Sequence, residues 1–244
     1  MLQHKSDMVR KLERDILPLQ GFTSLPQYIA PVGLGAIENA FPNRVFPAGT
    51  MHECISAIPK ESAATTGFIA GLAAKLMKSN GACVWIGTNR KVFPPALKAY
   101  GIPPERVLFI DTQKEKDTLW VMEEALKCEG LTAVIGEINN IDFKASRRLQ
   151  LATEQSRVTG FILRNNLRYQ NTIACIARWK ITPLLTEIAT PGVGFARWKV
   201  ELLKVRNGYP GAWEVEWNKQ RFRIIEPEKQ PVWQIDTYVY GSAS

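Results

Sequence analysis

Met51 to Met77, MHECISAIPKESAATTGFIAGLAAKLM, is the stretch whose reading decides the fold. Its first six residues, MHECIS, read as a short strand. The segment from Phe68 onward repeats its apolar residues Phe68, Ile69, Leu72, Ala73, Leu76 and Met77 on one helical face, with Lys75 and Lys78 off it. The spacing predicts a strand, a loop and a helix, the βα unit that α/β proteins use to hold phosphate. Counted back from Thr65 and Thr66, the motif G-x-x-x-x-G-K-[ST] falls on Ile58, Ala63, Ala64 and Thr65, so both glycines and the lysine are absent. A phosphate nest needs glycine's freedom at positive φ and a lysine charge against the β and γ oxygens. Ala63 and Ala64 provide neither, and no nucleotide or other cofactor is expected there.

The same alternation continues downstream. Ala82–Gly87, Val107–Ile110, Ala133–Ile138 and Thr159–Leu163 are apolar runs of strand length. Helical patterns separate them over Phe93–Tyr100, Lys114–Cys128 and, behind a capping Asp142, up to Gln155. Parallel strands require crossovers, and helices supply them, so the pattern predicts a doubly wound, mostly parallel α/β sheet. From Thr172 the period changes to two. Ile173–Ile181, Arg197–Val205, Ala212–Trp217 and Arg221–Ile225 alternate, and Asn207–Gly211 (NGYPG) reads as a hairpin turn, so an antiparallel extension closes the sheet.

Ligands of such sheets sit beyond the strand C-termini. There Glu137 is the one residual acid at the end of the fourth strand. It has no evident partner acid to activate water and is expected to be a surface glutamate. Trp85 and Trp120 are expected in the core.

With 244 residues, 45% of them hydrophobic and 22% charged, the chain is long enough for a full core and ordinary in composition. Residues 1–45 read as an N-terminal charged helix followed by a Pro- and Gly-punctuated leader, 46–226 as the core with its β meander, and 227–244 as a tail. Of a formal net charge of +8, most belongs to the C-terminal third, where Phe161–Glu226 holds eleven basic residues against five acidic ones. Arg197, Lys199, Arg206, Arg221 and Arg223 alternate with Trp198 and its neighbours. Trp198, Trp213 and Trp217 suit packing between sheet and helices, and beside these cations the pattern also suits single-stranded nucleic acid or a partner surface. Four singly spaced cysteines and two histidines exclude a patterned metal site, and neither a signal segment nor a membrane-length apolar run occurs, so a cytoplasmic, metal-free protein is expected.

The loop PKESAATT (Pro59–Thr66) resembles that of the RecA-like ATPase core. ILPLQGF (Ile16–Phe22), FPAGTMHE (Phe46–Glu53) and above all RWKVELLKVRNGYPGAWEVEWNKQRFRI (Arg197–Ile224) are similar to ImuA, a family related to SulA and RecA. The resemblance covers about residues 12–226. It implies a RecA-like fold and a non-catalytic accessory role in the SOS response, in damage-induced, error-prone translesion synthesis. It also implies contacts with ImuB and RecA, and indirect contact with an error-prone C-family polymerase. The segment containing Leu17, Leu19 and Phe22 would serve as a docking element, as N-terminal apolar segments do in RecA relatives. Two competing readings stand beside this one: a SulA-like cell-division inhibitor, and a RecA-like ATPase or DNA-binding protein with an unorthodox loop.

Overall fold

The computed structural model describes residues 31–78, 81–89, 92–165, 171–186 and 194–225. The charged N-terminal helix, the Leu17–Phe22 segment and the tail lie outside the described residues. Among the described residues nine strands form one sheet in the order β3-β2-β4-β5-β1-β6-β7-β8-β9. The strands are β1 (Met51–Ser56), β2 (Cys83–Gly87), β3 (Val107–Asp111), β4 (Ala133–Glu137), β5 (Thr159–Asn165), β6 (Ala177–Leu184), β7 (Ala196–Val205), β8 (Gly211–Asn218) and β9 (Arg221–Ile225). Strands β1 to β6 pair in parallel, and β6 to β9 antiparallel. This is the RecA-like, mostly parallel sheet with an antiparallel C-terminal extension.

Among the described residues three α-helices cover it: α1 (Pro59–Met77), α2 (Glu115–Leu126) and α3 (Phe143–Ser156). One face carries α1, whose Phe68, Ile69, Leu72 and Ala73 are fully buried against Trp179, Val200, Trp198 and their neighbours. The other face carries α2 and α3 through Met122, Leu126 and Leu149 against Val84, Val134 and Ile162. The central strands are buried on both faces, which is why β2 and β4 read as near-continuous apolar runs, while β1 is equally buried although it carries His52 and Glu53. Asp142 caps α3, its carboxylate accepting the Ala145 N–H at 2.6 Å. None of the helices among the described residues is long and apolar enough to cross a membrane.

The antiparallel strands approach α1 closely because the helix carries glycine where they cross. A Cβ on Gly71 would stand 2.9 Å from the Trp217 ring and 3.1 Å from the Phe222 ring. Those rings pack edge to face at 4.8 Å, and Phe68 joins Phe222 at 5.2 Å.

Two expectations are corrected. Residues 32–46 are part of the body rather than a leader laid over it. Leu34, Ile37 and Phe46 are fully buried and Phe41 nearly so, in two short 3-10 turns that join the α1-side core. Their prolines and glycines punctuate turns inside the core. Trp120 is 63% exposed, because on α2 it lies on the side opposite Thr118, Met122 and Leu126.

Candidate functional site

The β1–α1 junction is where a RecA-like sheet would cradle phosphate, and here it is closed from within. Only Ala57 and Ile58 separate strand from helix, so the loop anticipated over 58–66 is a helix from Pro59 on. Pro59 suits the first helical position, where its missing N–H costs nothing. Ala63, Ala64, Thr65 and Thr66 consequently occupy the second turn, and their N–H groups belong to the helix rather than to a nest. Glu61, only 6% exposed, turns its carboxylate back to accept the Ala57 N–H at 2.7 Å, and Lys180 of β6 pairs with it at 3.4 Å. A carboxylate thus stands at the positive end of α1, the location an anionic ligand would seek. Thr65, 1% exposed, exchanges a hydrogen bond of 3.1 Å with Ser56 of β1, so its hydroxyl faces the core and not a metal position.

Glu137, expected on the surface, is half-buried at the end of β4 and accepts a hydrogen bond from Trp85 Nε1 at 3.1 Å. The parallel register of β2 and β4 brings the two together. Among the described residues no group of three His, Cys, Asp or Glu side chains is placed to hold a metal ion.

A second polar feature, missed in the sequence, crosses the middle of the sheet. Glu53 of β1 is 1% exposed and takes two arginines: Arg164 of β5 at 2.8 Å and Arg178 of β6 at 2.5 Å. Arg164 also donates to the Asn139 carbonyl, and Arg178 to that of Asn171. The two arginines come from the strands that flank β1 on either side. Both arginines belong to the basic surplus of the C-terminal third, yet they serve the interior. The signal available was a glutamate inside MHECIS and an arginine inside TGFILRN, since a charge in a central strand must be paired. An open cleft of about 510 Å³ beside this triad is lined by Leu119, Asn140, Asp142, Arg164 and Asn171. Its acid is engaged as the cap of α3 and its arginine by Glu53 and Asn139, an arrangement that binds structure together rather than moving protons.

The predicted basic surface divides. Strand alternation turns Trp198 to the α1 side, 3% exposed and stacked on Tyr100 at 6.5 Å, which removes it from any nucleic-acid surface. Arg197 and Lys199 face the other way and meet acids: Arg197 pairs with Glu216 at 3.1 Å and Lys199 with Glu201 at 3.0 Å. Burial works against ionisation of Glu216, but hydrogen bonds from Arg197 and Asn218 outweigh it and hold its carboxyl below the usual range. Arg206, Arg221 and Arg223 are exposed, Arg206 at the far end of the sheet from Arg221. The structure does not gather the five into one patch.

Comparison with known proteins completes this picture. No family model matches the chain. Two curated relatives, each called Protein ImuA, come from Caulobacter vibrioides strains NA1000 / CB15N and ATCC 19089 / CIP 103742 / CB 15. Each is 30% identical over 177 residues, spanning 68% of this chain and 72% of the relative. The chain belongs to the ImuA family. In this ImuA-family chain the phosphate end of the RecA-like sheet is filled by the protein's own Glu61 and Lys180, and the buried charge is spent on holding β1, β5 and β6 in register.

Proposed function

We propose that this ImuA-family protein is a non-catalytic accessory component of damage-induced, error-prone translesion synthesis, an adaptor that binds ImuB and RecA. Family membership supports a part in that mutagenesis system. The observation that carries the non-catalytic half is the Glu61 carboxylate on the Ala57 N–H, an internal anion at the terminus where a triphosphate would be held. The Thr65 hydroxyl turned to Ser56 supports the same reading, as does Glu137, the acid ending β4, engaged by Trp85. What remains is a rigid scaffold with broad surfaces, suited to holding partners.

The test is size-exclusion chromatography of the purified chain with purified ImuB and RecA, alongside a fluorescent ATP titration. A stable complex with ImuB, and no ATP binding at micromolar concentration, is the expected result. ATP turnover abolished by Thr65→Ala, or the absence of any complex with either protein, overturns the reading.

A further inference from the structure

We infer that the end of the sheet formed by the N-termini of its parallel strands is a contact surface for the phosphate backbone of single-stranded nucleic acid, held by Arg44, Arg157, Lys204 and Arg206. The inference is independent of the adaptor role.

The topology gathers these residues although the sequence scatters them. β5 begins two residues after Arg157, and β7, running antiparallel, ends one residue before Arg206. The Arg206 N–H donates to the Ile176 carbonyl at 2.8 Å, and the Ile176 N–H donates to that of Met51, the first residue of β1, also at 2.8 Å. On the other side of β1 the Arg157 backbone lies against Gly49, whose Cβ, were one present, would stand 2.9 Å from the Arg157 carbonyl oxygen. The Tyr209 N–H donates to the Ala40 carbonyl at 2.9 Å, which brings the β7–β8 turn to the segment carrying Arg44. Along the order β5-β1-β6-β7, Arg157 and Arg206 are three strand spacings apart, about 14 Å.

All four cations are exposed. Helix dipoles explain some positive charge at this end, since α1, α2 and α3 all finish here, and Lys127 behind α2 is answered by Glu123 and Glu124. Arg44, Lys204 and Arg206 close no α-helix. They also have no ion pair among the described residues, in contrast to Arg197 and Lys199 on the sheet face. Of the acids at this end, Glu154 is engaged by Arg147 and Gln150, Glu129 precedes β4, which borders β5 but not β1, β6 or β7, and Glu105 precedes β3 at the far edge of the sheet. Three of the four cations are arginines, whose planar fork matches phosphate oxygens. Tyr209, 78% exposed beside them, offers a face on which a base can stack. That aromatic favours nucleic acid over an acidic protein.

The experiment is fluorescence anisotropy of a fluorescein-labelled oligothymidylate with the full chain, measured over a series of salt concentrations. The triple variant Arg44→Ala, Lys204→Ala, Arg206→Ala is expected to bind at least tenfold more weakly at low salt. Its log–log salt slope should shrink by about 2, because each neutralised phosphate of a single strand adds about 0.7 to that slope. Tyr209→Ala should weaken binding fivefold or more without changing the slope. A comparison variant with Arg197 and Lys199 changed to Ala is expected to bind as wild type. If the triple variant does not fold, the exposed pair Lys204→Ala, Arg206→Ala carries the same test with a slope change of about 1.4. The inference is overturned if wild type does not bind, if the Lys204 and Arg206 changes leave affinity and slope untouched, or if the comparison variant weakens as much. Loss of ImuB binding by the triple variant, with no binding of oligothymidylate by wild type, assigns the surface to an acidic protein and also overturns it. Failure here leaves the adaptor reading standing, because that reading is decided by complex formation with ImuB and RecA.

Discussion

Lowering the pH from 7.5 to 5.0 should weaken this fold through one side chain, His52. The imidazole is fully buried, stacked between Phe46 at 4.6 Å and Phe161 at 5.3 Å. Nε2 donates its proton to the Pro47 carbonyl at 3.0 Å, and Nδ1 accepts from Trp179 Nε1 at 3.3 Å. That pattern fixes the neutral tautomer, and a second proton on Nδ1 would face the Trp179 N–H. Burial lowers the pKa from 6.5 to about 4, against a smaller opposing effect of the Pro47 hydrogen bond. Because the folded value lies below the unfolded one, the neutral ring contributes stability above pH 6.5, and that contribution fades as the pH falls toward 4. Its full size is about 3 kcal/mol, of which about 2 kcal/mol is gone by pH 5. Against a total of roughly 5–15 kcal/mol this is large. Urea unfolding at pH 7.5 and 5.0 should therefore show a drop in wild type that exceeds the drop in His52→Gln by about 2 kcal/mol. A proton NMR titration of the imidazoles gives a second readout: the His52 ring should titrate near 4. Equal drops in the two proteins, or the absence of any imidazole titrating near 4, would refute the reasoning.

Two further outcomes follow from packing and charge. Gly71→Ala should destabilise the protein by about 1–3 kcal/mol in urea melts despite a helix-propensity gain of roughly 1 kcal/mol, because the added methyl meets the Trp217 and Phe222 rings; a neutral or stabilising result would show that those rings move aside. Glu53→Gln should cost about 3–5 kcal/mol by leaving Arg164 and Arg178 buried without a counter-charge, whereas Lys199→Ala, which breaks an exposed pair, should cost under about 1 kcal/mol. Similar losses from the two changes, measured in the same melts, would show that the triad does not hold the sheet together.

The elements legible in the sequence were those whose periodicity is local. The apolar runs of β2 and β4, the Asp142 cap and the NGYPG turn all announce themselves within a few residues. What escaped depends on which strands become neighbours. Glu53 and Arg178 are 125 positions apart in the chain, and only the placement of β6 beside β1 brings them into contact. Trp198 looks like a partner for bases because it alternates with Arg197 and Lys199, yet alternation in a strand is what sends it to the opposite face. Leu34, Ile37 and Phe46 lie among prolines and glycines, whose punctuation hides the fact that a core can be lined by turns. Glu61 does carry a local signal, an acid at the third position of a helix opened by proline, and that signal bears directly on the missing nucleotide site.

The Glu61 latch makes a phosphate cradle hard to build at the head of α1. Glycines at positions 58 and 63 and a lysine at 64 would all stand on or beside an intact helix, with a carboxylate still seated at its positive end. A nest there would require unwinding a full turn, discarding Pro59 and Glu61 together, and finding Lys180 a new counter-charge. A junction sealed in this way leaves the outer surfaces of the sheet freer to vary than its interior.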